Sequence, residues 1–319
     1  MENVVICGAA RTPIGGFQGV FDAVPAARLG GAAIEAALQQ TSLSSVDEVV
    51  MGNVLGAGQG QAPARQASFY AGLGAQVPAT TLNKMCGSGM KATMIGFDQI
   101  ALGQTQVMAV GGMESMSNAP YLLPKMRSGA RLGHSQVADH MFLDGLEDAY
   151  ENGRLMGSFA EDFAEKYQFT REAQDDYALR SLIRAREAQS SGAFENEITP
   201  FNLARKKGDY AVMQDEQPLN AKPEKIPHLK PAFRADGSVT AANASSISDG
   251  AAALIVSSQT HMQQAGLPCR ARILGHASHA QEPAWFSTAP IFATRKLLDR
   301  LNWRVEDVGP WEANGACAT

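Results

Sequence analysis

The chain has 319 residues, 45% of them hydrophobic and 18% charged, with 27 lysines and arginines against 32 aspartates and glutamates and a net charge of −5. That length accommodates about two domains with cores of their own, and the acidic balance argues against a nucleic-acid groove or an anchor on an anionic membrane. No apolar run approaches the ~20 residues that cross a bilayer as a helix.

In chain order, MENVVICGAARTPIGG carries neither a charged leader with an apolar core nor an arginine-rich presequence, and Val4–Cys7 reads as a first strand. Glu48–Met51 and Val107–Val110 read as further strands. Ala26–Gln40 and Ala64–Leu73 read as helices, as does the stretch after Cys86. This alternation predicts an α/β protein with a mostly parallel sheet covered by helices. Residues 117–245 change character. They hold amphipathic segments at Ala160–Tyr167 and Thr170–Ser190, the latter opened by a Thr-x-Glu start, and loops carrying Pro200, Pro218, Pro223, Pro227 and Pro231. The region reads as an excursion between sheet strands, and the sheet resumes at Ala251–Val256 and Ala271–Leu274.

The four cysteines, Cys7, Cys86, Cys269 and Cys317, are far apart and form no Cys-x-x-Cys pair. Reduced thiols in a cytoplasmic compartment fit this spacing better than a disulfide framework or a zinc site, so no metal is expected. Cys7, inside an apolar strand, reads as a small core residue. Arg205-Lys206-Lys207 suits a solvated turn or a local phosphate contact, the turn being favoured. The glycines of Gly56–Gln61 fall in the wrong register for a dinucleotide fingerprint.

Cys86 stands in NKMCGSGMKA, a glycine and serine turn before a helical stretch containing Met90, Met94, Ile95 and Phe97. At a helix N-terminus unpaired N–H groups lower a thiol pKa, and flanking glycines let a substrate approach the backbone. Read locally, the segment suits an ionised nucleophile and a small buried residue at a strand–helix corner equally well. NKMCGSGMKA resembles the nucleophile segment of the thiolases, the CoA-dependent enzymes that make and cleave β-ketoacyl thioesters. Ala9–Phe17 (AARTPIGGF), Gly52–Gln66 (GNVLGAGQGQAPARQ), Gly111–Ser117 (GGMESMS) and Asn243–Ala253 (NASSISDGAAA) resemble further segments of that family in the expected order. The resemblance is strongest to acetyl-CoA acetyltransferases, and a ketoacyl synthase of related fold fits these segments less well.

The resemblance implies a thiolase-like layered αβα fold. It assigns 1–116 and 246–265 to an N-terminal domain, 117–245 to a CoA-binding loop domain and 266–319 to the start of a C-terminal domain. It implies that Cys86 carries an acyl group as a thioester between acyl-CoA and acetyl-CoA, with CoA thioesters as substrates and no further cofactor. By position it implies that Leu146, Met156, Ala232, Phe233, Ala241, Ser245 and Ile247 line the CoA channel, with Lys206 or Lys207 near the phosphates. It also implies a homodimer or homotetramer, with neither nucleic acid nor membrane as partner. Leu155-Met156 departs from the His-Met of many biosynthetic members, which bears on the acyl-chain preference.

The final WEANGACAT resembles the family's Glu-x-Asn-Glu-Ala-Phe-Ala stretch, making Asn314 the residue that holds a water in an oxyanion hole. The family's Gly-His-Pro histidine and the second cysteine in Cys-x-Gly-Gly-Gly do not occur in the 319 residues. Gly275-His276 lacks the proline, and Cys317 falls in the asparagine segment. The expectation is an incomplete second half and an impaired or inactive chain. The alternatives are a non-catalytic fragment and a partial enzyme that only acylates Cys86.

Overall fold

The computed structural model describes residues 2–204 and 208–319. In chain order its elements are β1 (Val4–Arg11), β2 (Gly15–Gly16), α1 (Ala26–Gln39), β3 (Glu48–Gly52), α2 (Pro63–Tyr70), β4 (Ala79–Leu82), α3 (Ser88–Ala101) and β5 (Val107–Ser115). There follow the short strands β6 (Tyr121–Leu122) and β7 (Ala138–Asp139), a π-helical turn at Phe142–Leu146, and the helices α4 (Met156–Tyr167) and α5 (Arg171–Ser190). The chain continues through β8 (Phe201–Leu203), β9 (Tyr210–Val212), α6 (Glu216–Asn220), β10 (Ser248–Ser258), α7 (Gln259–Ala265), β11 (Ala271–Ile273) and α8 (Ala289–Leu301). Two compact units result: Met1–Ala149, Ala185–Ala221 and Ile247–Ile273 make the first, and Tyr150–Arg184, Lys222–Ser246 and Leu274–Thr319 the second.

The first unit is built on a seven-stranded sheet of order β11-β1-β10-β5-β3-β4, with β2 paired to β10. The period-two alternation of a strand decides which helix each side chain meets. Val49, Met51, Ala109 and Ile255 share one core with Leu29 and Ile34 of α1 and Ala67 of α2. Their neighbours Val50, Met108, Val110 and Val256 share the other core with Ala92 and Ile100 of α3. Helices therefore cover both faces, a layered α/β/α arrangement. α1 forms because Ala26, Leu29, Gly30, Ala33, Ile34, Ala37 and Leu38 recur at helical spacing on its buried stripe. Burying Leu29 and Ile34 contributes roughly 1.5–3 kcal/mol each.

The sheet is mixed, which corrects the expectation of a mostly parallel one. β3 runs parallel to both β4 and β5, whereas β10 is antiparallel to β1, β2 and β5, and β11 is antiparallel to β1. From β3 to β5 each strand is followed by a helix that returns the chain to the same end of the sheet, which enforces parallel pairing. β10 arrives after residues 116–247, with no single crossover helix to set its direction, and inserts antiparallel between β1 and β5. Cys7 is fully buried in this sheet, as its apolar strand suggested.

In the second unit α4 buries Phe159, Ala160, Phe163 and Ala164. Phe163 meets Trp285 edge-on with ring centroids 5.1 Å apart. α5 departs from its amphipathic expectation, since its buried residues are polar, Gln174 and Asp175. Its Thr170 start does act as a cap: the Ala173 N–H donates to Thr170 Oγ1 at 3.2 Å. No helix among the described residues is long and apolar enough to cross a membrane.

Candidate active site

Cys86 lies in the turn between β4 and α3, beyond the carboxyl ends of the parallel strands β3 and β4, where open α/β sheets place their ligands. Gly52 lets the helix come close. A Cβ there would fall 2.4 Å from Ser88 Cβ and 2.6 Å from the Ser88 carbonyl carbon, so the last residue of β3 and the first of α3 pack backbone against backbone. The turn is closed by the Ser88 hydroxyl, which donates to Lys84 O at 2.9 Å and accepts from Lys84 N–H at 3.1 Å. Cys86 itself has φ +53°, a left-handed conformation costing an L-residue on the order of 1–2 kcal/mol. Its side chain is exposed.

The N–H groups of Ser88, Gly89 and Met90 make no backbone hydrogen bond among the described residues, and Lys91 N–H is the first taken up, by Gly87 O at 2.8 Å. First-turn N–H groups of this kind are the ones a helix start offers to a developing oxyanion. Crowding by the protein around this exposed group pushes the thiol pKa up, and no charged partner among the described residues opposes that. Cys86 stands two residues ahead of the helix, and the intervening Gly87 N–H is bound to Lys84 O at 2.9 Å and Met85 O at 2.6 Å. Met90 is 65% exposed and Met85 55%, so two flexible apolar side chains flank the thiol in solvent.

The structure adds residues that the sequence did not single out. Glu114, at the end of β5, accepts from Asn53 Nδ2 at 2.8 Å and from the N–H groups of Val54 at 2.8 Å and Leu55 at 3.3 Å. Burial pushes its carboxyl pKa up, while those N–H groups pull it back. Gln59 Nε2 donates to Asn53 Oδ1 at 2.9 Å, and Asn83 Nδ2 to Val54 O at 3.4 Å. The segments Gly52–Gln66 and Gly111–Ser117 are thus one hydrogen-bonded assembly beside the Cys86 turn. The signal was Glu114 itself, a carboxylate in an otherwise apolar strand.

Among the remaining candidates Leu146 and Ile247 fall in the first unit, both half-buried. Met156, Ala232, Phe233, Ala241, Ser245 and Asn314 fall in the second. There the 232–245 stretch is held by polar anchors. The Glu161 carboxylate accepts from the N–H groups of Ser238 at 2.8 Å and Val239 at 2.9 Å. Asn243 Nδ2 donates to Asp175 Oδ1 at 3.0 Å. The Phe233 ring lies against Gly157, where a Cβ would fall 2.3 Å from ring atoms, which brings it beside the start of α4 at Met156. Ser245 N–H donates to Ala316 O at 2.5 Å and Ala318 N–H to Asn243 O at 2.9 Å, so the stretch carrying Asn314 runs beside the one carrying Ser245. Ala232, Ala241, Ser245 and Asn314 are exposed. Burial pushes the Cys317 thiol pKa up. Lys206 and Lys207 lie outside the described residues. Among the described residues no group of three His, Cys, Asp or Glu side chains is placed to hold a metal ion.

Residues 4–260 match the family described as "Thiolase, N-terminal domain". The chain belongs to the thiolase family. The thiolase likeness extends past that match, over all or nearly all of the chain. An acetyl-CoA acetyltransferase of Pseudomonas aeruginosa is 48% identical, the match covering 100% of this chain and 82% of that protein. Acetyl-CoA acetyltransferase 2 of Arabidopsis thaliana is 47% identical over 99% of this chain and 80% of that protein. The solved structure of an acetyl-CoA acetyltransferase from Syntrophomonas wolfei superposes with a TM-score of 0.95 at 39% identity, covering 100% of this chain and 80% of that one. The layered fold is therefore the thiolase fold.

Proposed function

We propose that the chain is a thiolase-type acyltransferase whose nucleophile is Cys86, acting on acyl-CoA and acetyl-CoA in the direction of 3-ketoacyl-CoA and CoA or its reverse. The observation that carries this reading is an exposed cysteine with left-handed backbone just ahead of a helix whose first N–H groups make no backbone hydrogen bond among the described residues, in a chain of the thiolase family. In the first half-reaction Cys86 Sγ attacks the thioester carbonyl, the carbon–sulfur bond to CoA breaks, and the thiol proton ends on the departing CoA sulfur. Leu146, Met156, Lys206, Ala232, Phe233, Ala241, Ser245 and Ile247 are the proposed CoA contacts, and Asn314 the proposed holder of an oxyanion water. Small, apolar and hydroxyl side chains suit the narrow pantetheine arm. The names of the acetyltransferase relatives support acetyl-CoA as donor. No cofactor beyond the CoA thioesters is proposed. The open edge strand β4 supports assembly with a second copy, and four unpaired cysteines support a reducing compartment such as the cytoplasm.

Crowding pushes the Cys86 thiol pKa up, with no charged partner among the described residues to oppose it, so acylation of Cys86 is the step to be tested. Mass spectrometry after incubation with acetyl-CoA tests the reading: an acetyl adduct on the Cys86 peptide, absent from Cys86→Ala, supports it, and an unmodified wild type overturns it. Thiolysis of acetoacetyl-CoA that is lost in Cys86→Ala supports the full reaction, and its absence leaves acylation alone standing.

A further inference from the structure

The π-helical turn Phe142–Leu146 and the loop that follows β3 meet at one histidine. His140 is buried, while Asp144 is half-exposed. The Ala57 N–H donates to His140 Nε2 at 3.2 Å, and His140 Nδ1 lies 2.6 Å from Asp144 Oδ2. Because Nε2 accepts, the ring proton resides on Nδ1 and is donated to the carboxylate, so one tautomer satisfies both contacts. Asp144 follows His140 by four residues and lies inside the π turn, so this pair fastens the turn to the histidine. Ala57 belongs to the loop that Glu114 and Asn83 already hold beside the Cys86 turn. Leu55 of the same loop approaches the π turn, since a Cβ on Gly145 would meet its Cδ2 at 3.3 Å. π turns of this kind recur at functional sites.

We propose that His140 is a positioning residue: locked in its Nδ1–H tautomer between Ala57 and Asp144, it fixes the π turn that presents Leu146 relative to the loop bracing the Cys86 turn. It touches neither the reacting carbonyl nor the thiol, and it acts by holding the CoA-facing leucine at its distance from the nucleophile. The proposal rests on the reading that Cys86 is acylated and that Leu146 meets the pantetheine arm.

Cys86 acylation by acetyl-CoA, followed by mass spectrometry over a range of acetyl-CoA concentrations, separates the half-saturating concentration from the limiting rate. In His140→Phe, which cannot accept from Ala57, the half-saturating concentration rises about tenfold or more while the limiting rate stays within about threefold. In His140→Gln, whose amide oxygen reaches the Nε2 position, half-saturation returns to within about threefold of wild type. Asp144→Ala, altering a half-exposed side chain that the fold tolerates, gives a rise between the two even should His140→Phe not fold. Alkylation of Cys86 by iodoacetamide, which needs no CoA groove, stays within about twofold in all variants. A wild type that is never acylated overturns the reading of Cys86 together with this proposal. A wild type that saturates, with folded His140→Phe and Asp144→Ala variants sharing its half-saturation, overturns the proposal alone. So does a His140→Gln variant that behaves as His140→Phe.

Discussion

Cys86 holds a conformation that an L-residue adopts only at a cost, so stability and reactivity oppose each other at this one position. Cys86→Gly should raise the unfolding free energy by about 0.5–1 kcal/mol, the relief of left-handed strain less the entropy of a glycine, while abolishing acylation. Urea unfolding of the two proteins checks this. The raised thiol pKa also gives a kinetic signature. Alkylation of Cys86 should still be accelerating with pH beyond the ordinary cysteine range, because crowding keeps the thiol protonated. A plateau at or below neutral pH would show an ionised nucleophile. Cys7 presents the buried case. Its pKa is raised from 9.0 to about 11, by burial first and by the neighbouring Cys269 second. A thiol whose folded pKa is raised contributes stability that is complete below pH 9.0 and lost as pH climbs through about 11. Two pKa units correspond to about 2–3 kcal/mol, so the stability gap between wild type and Cys7→Ala should shrink by that amount across this window.

At the scale of elements, β3 and α3 are held together by an absence of side chain. Gly52→Ala would put a Cβ 2.4 Å from Ser88 Cβ and 2.6 Å from its carbonyl carbon, and backbone cannot yield as a flexible side chain does. The expected cost is about 1–3 kcal/mol, with slower Cys86 acylation because the helix start is displaced; thermal melting and the adduct rate together check it. The 232–245 stretch depends on α4 in another way. Glu161→Gln keeps one acceptor oxygen but sets its N–H₂ against the N–H group of either Ser238 or Val239, and about 1–3 kcal/mol of unfolding free energy should be lost. These residues show how much of the site was legible. Cys86 could be found because a cysteine among glycines before a helical stretch is a local pattern. Glu161 and His140 leave no local signal, because each acts on backbone groups far away in sequence, and Glu114 shows only as a carboxylate in an apolar strand, with no hint of the loop it holds.

For the molecule as a whole, the central strands of the first unit are the ones with partners on both sides and helices on both faces. Hydrogen exchange should accordingly be slowest at the amides of β5 and β10. Exchange in α5, which buries only Gln174 and Asp175, should run ahead of them by orders of magnitude. Uniform exchange across these elements would contradict the account of the core given above.

The sequence by itself determined that the main elements of the sheet exist, but not their ends: the strand read to Cys7 runs to Arg11, and the one read to Val110 runs to Ser115. The stripe Leu29, Ile34 and Leu38 makes α1 a helix, and the apolar runs at Val49 and Val107 make strands, because both depend on spacing within a few residues. It also determined which thiol stands at a strand–helix turn. The tertiary structure alone decided that β10 enters antiparallel, since the chain between it and β5 sets no direction. It alone decided that the Cys86 thiol pKa is pushed up, since desolvation is a sum over atoms brought from distant parts of the chain. And it alone showed which carboxylates hold which loops, because a hydrogen bond between residues sixty or more positions apart leaves no trace in local spacing.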